Sequence, residues 1–208
     1  MSQAFAGLIS CDFWTAYRAA DGVGGERSFC WSHLDREAKG IIENGTGFTA
    51  IFGEILRRTI GKGYIHWRGF RRGRITERVF QRLGKRQRNF LRVFLRTSEG
   101  HLVGKKAIAL RKRLADHLDG YFAWYRHPGV TPDNNPGERA IRPCVVNRKV
   151  SGGNRSAWGA ELSAFMQTVI GTCRKQGREL LGTLQAYLVA FVRPGTPFPT
   201  LVPEHLPD

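Results

Sequence analysis

Apolar residues change their spacing along the chain, and the changes divide it. Near the N-terminus the apolar runs are short. Residues 6–12, Ala-Gly-Leu-Ile-Ser-Cys-Asp, predict a buried strand ending on a carboxylate, and residues 28–31 predict a second strand. Residues 13–17 (Phe-Trp-Thr-Ala-Tyr) follow the first strand directly, residues 22–25 read as a turn, and residues 34–42 as a helix entered through Ser32 and His33. From residue 48 the spacing becomes helical. Ile51, Phe52, Ile55, Leu56 and Ile60 share one face of a helix over 48–60. Residues 61–73, rich in glycine and arginine, read as a connection. Residues 75–95 set Val79, Phe80, Leu83, Phe90, Leu91 and Phe94 among many arginines, and residues 108–125 repeat Leu110, Leu114, Leu118 and Phe122 at intervals of four. Such helices pack on one another as a bundle.

The last third carries a denser stretch. Residues 131–143 read Thr-Pro-Asp-Asn-Asn-Pro-Gly-Glu-Arg-Ala-Ile-Arg-Pro. Asn135, Pro136 and Glu138 fit the N-cap, N1 and N3 positions of a helix, and Glu138 then suits a capping box. The competing reading points Glu138 into a cleft as a metal ligand. Pro143 predicts a break, since proline offers no amide to the preceding turn, and residues 145–150 read as extended or irregular. Ser151-Gly152-Gly153-Asn154-Arg155 is a basic loop. Ser156 caps a helix over 157–175 with an inner face of Leu162, Phe165, Met166, Val169, Ile170 and Cys173. A final helix over 179–192 buries Leu181, Leu184, Tyr187, Leu188 and Phe191, and a proline-rich tail from 194 reads as loose.

Charge narrows the function. The 208 residues hold 33 Lys plus Arg against 17 Asp plus Glu, a formal net of +16. That balance favours a polyanionic partner, above all nucleic acid. Arginine's planar fork suits phosphate oxygens, and ten arginines fall between Arg68 and Arg96. No apolar run is long enough to span a bilayer, and the first residues lack a secretory pattern. A cytoplasmic, nucleoid-associated protein without a membrane or small-molecule partner is therefore expected. The four cysteines, Cys11, Cys30, Cys144 and Cys173, are scattered and read as reduced thiols. Cys30-x-x-His33 has the spacing of half a zinc site, without a second pair to close it.

Two carboxylates stand out as candidate chemistry: Asp12 at a strand end and Glu138 in the first turn of a helix. Oxygen ligands of this kind suit Mg²⁺ or Mn²⁺. A pair of such ions about 4 Å apart activates a nucleophile and stabilises the leaving oxygen in phosphodiester cleavage.

Three stretches, in order, resemble the DDE transposases of bacterial insertion sequences, in particular the insertion sequence 66 family. They are Leu8-Ile9-Ser10-Cys11-Asp12 with Tyr17 shortly after, Cys30-Trp31-Ser32-His33-Leu34-Asp35-Arg36, and Asp133-Asn134-Asn135-Pro136-Gly137-Glu138-Arg139-Ala140-Ile141-Arg142-Pro143. The resemblance implies an α/β fold: a partial RNase H-like core, its N-terminal strands missing, with a large α-helical insertion. Residues 1–43 would be the strands and first helix, 44–130 the basic insertion, 131–193 the helices carrying the glutamate motif, and 194–208 the tail. It further implies DNA transposition by Mg²⁺- or Mn²⁺-dependent strand cleavage and transfer at element ends. Asp12 and Glu138 would be the second and third acids of the metal site, supported by His33, Arg36 and Asn135. Arg139, Arg142, Arg148, Lys149 and Arg155 would lie along DNA, with Arg78, Arg82 and Arg86 of the insertion. The family's first acid lies on a strand upstream of residue 1, so the resemblance implies a truncated, catalytically incomplete copy. Self-association is an implication of the family. The alternative reading is a non-catalytic basic nucleic-acid-binding module built on the arginine-rich helices.

Overall fold

Two four-residue strands, β1 (Leu8–Cys11) and β2 (Glu26–Phe29), run parallel, with Leu8 opposite Glu26 and Cys11 opposite Phe29. The computed structural model describes residues 7–13 and 26–201. Features expected on residues 14–25, Tyr17 and the 22–25 turn among them, lie outside the described residues. Parallel neighbours require a crossover of a dozen or more residues, and residues 12–25 supply that length. The ladder ends where the Cys30 amide donates to the Cys11 carbonyl at 2.9 Å. Helix α1 (Trp31–Asn44) begins at the next residue, so Trp31 opens a helix rather than extending a strand.

Helix α2 (Phe48–Arg71) runs through the segment expected to be a connection. Each interior glycine costs a helix about 1 kcal/mol against alanine, and packing overrides that cost here. Gly63 lies beneath the buried Trp31 indole, where a Cβ would overlap the ring carbons. The chain turns at Gly73, whose φ of 67° is in the left-handed region. Thr76 then caps helix α3 (Glu77–Thr97). The buried stripe of α3 is Phe80, Gly84, Gln87, Leu91 and Leu95. It includes a glycine and an amide that a hydrophobic pattern passes over, while Phe90, expected inside, is 56% exposed. Ile51 of α2 is likewise exposed.

The leucines at intervals of four do not lie on one helix. Helix α4 (Lys105–Asp116) ends at His117, α5 (Leu118–Tyr121) adds one turn, and Ala123–Tyr125 forms a 3-10 turn. Residues four apart drift about 40° around a straight helix at each step. The breaks interrupt the straight helix, and Leu110, Leu114, Leu118 and Phe122 are all buried.

The chain divides into two compact units, Met1–Pro136 and Gly137–Asp208. In the first, the strands and the helices that follow share one core, drawn from residues such as Phe29, Trp31, Leu56, Phe80, Leu114 and Trp124. A polar relay crosses it. The Tyr125 hydroxyl donates to Gln87 Oε1 at 2.7 Å, and Gln87 Nε2 donates to the Thr59 carbonyl. His66 Nδ1 lies 2.8 Å from the same hydroxyl. Because the one hydroxyl proton goes to Gln87, His66 Nδ1 is the donor of that last bond.

Helix α6 (Asn135–Val150) continues through Pro143, and residues 145–150 are helical rather than extended. Losing one amide at an exposed position does not end it. In the second unit, helix α7 (Ala157–Gln176) starts at Ser156, whose hydroxyl accepts the Gly159 amide at 3.0 Å, and ends at left-handed Gly177. Helix α8 (Leu180–Val192) starts at Glu179, whose carboxylate accepts the Leu181 and Gly182 amides. The expected inner faces are only partly covered. Val169, Cys173 and Ala190 are buried, whereas Leu162, Phe165, Leu181, Leu188 and Phe191 are exposed. After α8 the carbonyls of Pro199, Thr200 and Leu201 accept hydrogen bonds from Tyr187, Arg178 and Gln176. Among the described residues, no helix is long and apolar enough to cross a membrane.

Two stability tests follow from this packing. Gly63→Ala should lose about 1–3 kcal/mol by urea unfolding, since the core must shift around Trp31. Gly61→Ala, on the open side of the same helix where an added Cβ meets nothing within 4 Å, should gain about 0.5–1 kcal/mol. A second test concerns pH. Burial first, and the Lys62 charge second, hold His66 below its ordinary value. As pH falls through about 6.5 the unfolded chain takes up a proton that folded His66 resists, so stability should fall toward acid. Urea midpoints compared at neutral and mildly acidic pH should show a smaller drop for His66→Gln than for the parent chain.

Candidate functional site

In parallel α/β arrangements functional groups gather beyond the carboxyl ends of the strands. Asp12 directly follows the last residue of β1, and Cys30 directly follows β2. His33, half-buried, sits in the first turn of α1. The first unit therefore brings Asp12, Cys30 and His33 to one end of its strand pair. Arg36 lies one turn further along α1, exposed, with Nε 3.4 Å from the Ser32 carbonyl.

Residues 131–136 are fastened to the same end. The Trp31 amide donates to the Pro132 carbonyl at 2.9 Å, and the Asn134 amide reaches Cys30 Sγ at 3.1 Å. The Tyr64 hydroxyl donates to Asp133 Oδ2 at 3.1 Å, and Asp133 Oδ1 accepts the Asn135 amide at 3.1 Å. Burial pushes the Tyr64 phenol well above its ordinary value; a Ser32 hydrogen bond opposes that shift and the Asp133 charge adds to it. Tyr64 thus keeps the proton that it gives to Asp133. Both Asp133 oxygens are engaged in this way, so Asp133 is a structural carboxylate.

The expected cap is displaced by one residue. Asn135 is the first residue of α6 rather than its N-cap, and its amide is bonded to Asp133. The donor assigned to Glu138 in a capping box is therefore served from the other side by an Asx-type turn. Glu138 lies in the first turn of α6, the end of a helix where negative charge is favoured.

The cations are distributed over several surfaces. In the second unit Arg139 and Arg142 share a shallow depression on α6 with Pro143, Val146, Asn147 and Val150. Arg148 and Lys149 occupy the last turn of α6, where positive charge also complements the helix dipole. Arg155 is exposed in the loop that follows. Arg78, Arg82 and Arg86 are exposed on α3, in the first unit. Other arginines of the first unit have structural partners: Arg88 and Arg92 meet the Asp119 carboxylate at 2.8 and 3.6 Å, and Arg57 meets Asp35 at 2.9 Å.

The Transposase IS66 family model matches residues 1–162, more than three quarters of the chain. The chain belongs to the IS66 transposase family. The matched span includes both strands, Asp12, the Cys30–Arg36 stretch and the whole 131–143 motif. No curated protein and no solved structure matches. Membership makes transposition the setting in which this IS66-family chain is read, with DNA as the partner.

Sequence reasoning missed the part played by Asp133, Tyr64 and Trp31 in holding this segment. Asp133 carried a usable signal, because an aspartate two residues before a helix start makes an Asx turn. Nothing local marks Tyr64, which lies 69 residues from its partner. Tyr64→Phe should leave Asp133 short of a charge-assisted hydrogen bond, a loss of about 1.5–3 kcal/mol at most. Hydrogen exchange should then show faster opening of the Asn134 and Asn135 amides, with the amides of α3 unchanged.

Proposed function

We propose that this chain acts in DNA transposition through a DDE-type, divalent-metal-dependent centre on an RNase H-like core, with Asp12 and Glu138 as metal ligands. The family match, which spans both carboxylates and their motifs, carries the reading. Asp12 at the carboxyl end of a parallel strand, with the start of α6 fastened to that same end, supports it.

The donors suit a hard ion. Asp12 and Glu138 offer carboxylate oxygens, which Mg²⁺ and Mn²⁺ prefer, while Asp133 is committed to Tyr64 and the Asn135 amide. When bound, such ions activate the attacking hydroxyl, first of water and then of a 3′ end, and stabilise the leaving oxygen. The protein contributes position. Residues 131–136 set where α6 begins, and His33 and Arg36 stand on the helix leading from β2 to support the site or a phosphate. Arg139, Arg142, Arg148, Lys149 and Arg155 offer a phosphate-binding surface on the second unit.

Metal binding tests this without relying on turnover. Mn²⁺ titrated into the chain should bind, read by its effect on water proton relaxation. Asp12→Asn and Glu138→Gln should each weaken that binding about tenfold or more, with the circular dichroism spectrum unchanged. Equal Mn²⁺ affinity in the parent and both variants would remove the two carboxylates from the metal site and favour the basic binding module instead.

A further inference from the structure

The stretch from Arg57 to Arg96 holds 14 Lys and Arg residues and one acid, Glu77. Much of it is the α2–α3 pair. Between these helices lies a groove of about 410 Å³, with Arg58, Lys62 and Arg86 at its cationic positions and Ile55, Leu83 and Phe90 as apolar wall. Arg58 also meets Glu54 at 3.7 Å across one helical turn, an exposed pair of the kind that contributes little in water. Phe90 is 56% exposed and lies parallel to Phe94 at 6.3 Å. An aromatic ring left in solvent among cations does little for folding.

His66 and Gln87 complete the lining. The relay through Tyr125 and Thr59 determines their roles. With Nδ1 donating to Tyr125, the neutral His66 ring has Nε2 as its acceptor. Burial and Lys62 favour that neutral form. One concave strip therefore combines phosphate-binding cations, an exposed aromatic face and a hydrogen-bond acceptor of defined tautomer.

We infer that the α2–α3 groove is a binding site for unpaired single-stranded DNA, with phosphates on Arg58, Lys62 and Arg86 and a base stacked on Phe90. Cations that track a backbone beside an aromatic face are the means by which proteins hold single strands. A duplex offers the same phosphates but keeps its base faces stacked inside, so it leaves Phe90 without a partner. His66 Nε2 accepts a hydrogen bond from a base amino or imino group. This site shares only the DNA partner with the metal-centred reading and depends on neither Asp12 nor Glu138.

Fluorescence anisotropy with a labelled mixed-sequence single strand, and with a duplex of the same length, tests the assignment on the full chain. Lys62→Glu combined with Arg86→Glu should weaken single-strand binding at least tenfold. Phe90→Ala should weaken it about fivefold or more, the size expected of one lost base stack, and leave duplex binding within about twofold. Because Phe90 is exposed, its replacement should leave thermal unfolding unchanged, and that control is run beside the binding assay. Asp12→Asn and Glu138→Gln should not alter single-strand affinity, so a failed metal site and a failed groove give different results. Single-strand affinity unaffected by Phe90→Ala, or lowered equally with that for duplex, would overturn the proposal.

Discussion

The Trp31 indole is the contact on which the first unit turns. Its ring is 1% exposed and occupies the space that Gly63 leaves by having no side chain. Its Nε1 donates to the Tyr121 carbonyl at 2.6 Å, and Trp124 Nε1 reaches that same oxygen at 3.2 Å. The Trp124 ring meets it edge-on at 5.0 Å, Phe122 at 5.4 Å and Tyr64 at 6.4 Å. Its backbone amide holds Pro132. A single residue at the start of α1 thus touches α2, the α5 turn and the 131–136 segment. Truncating a buried aromatic of this size typically costs about 3–5 kcal/mol.

This arrangement couples stability to the candidate site. The segment that starts α6 has few apolar side chains of its own to bury. It is held by hydrogen bonds to Trp31, Cys30 and Tyr64, which are themselves placed by the aromatic core. A buried partner makes such bonds costly to lose, since the stranded group no longer reaches water. The helix carrying Glu138 accordingly begins at a place determined by residues roughly 70 to 100 positions earlier. The same core fixes His66 through Tyr125, Gln87 and Thr59, and so shapes the groove between α2 and α3.

The cationic surplus has two fates. Arg57 is paired with Asp35, and Arg88 and Arg92 share Asp119, carboxylates that the fold brings to them. Arg78, Arg82, Arg86 and the arginines of α6 remain in solvent. Charge counted along the chain does not distinguish these groups, because pairing depends on which faces meet. The exposed set, together with family membership, gives the net charge of +16 its functional sense.

Much was legible without the structure. The two strands, most of the helical segments and the cap at Ser156 follow from local spacing and side-chain chemistry, which act over a few residues. The family motifs are equally local, and they lie within the residues that the family model matches. Other features needed the tertiary structure. Gly61, Gly63 and Gly69 read as a connection because glycine weakens an isolated helix, yet the core requires Gly63 to be small where Trp31 lies. A hydrophobic pattern passes over Gly84 and Gln87, yet Tyr125 packs on one and bonds the other. Pro143 reads as a break, yet the helix tolerates one missing amide. Leu162, Phe165 and Leu188 read as buried by periodicity, which marks an apolar face but does not supply a partner to cover it. The sequence by itself determined the two strands and most of the helical segments, where the carboxylates and cations fall, and which family the motifs resemble. Only the tertiary structure decided which glycines are indispensable, which arginines stay free of carboxylates and what holds the start of α6. Those outcomes depend on contacts between residues far apart in the chain, and no local pattern encodes such distances.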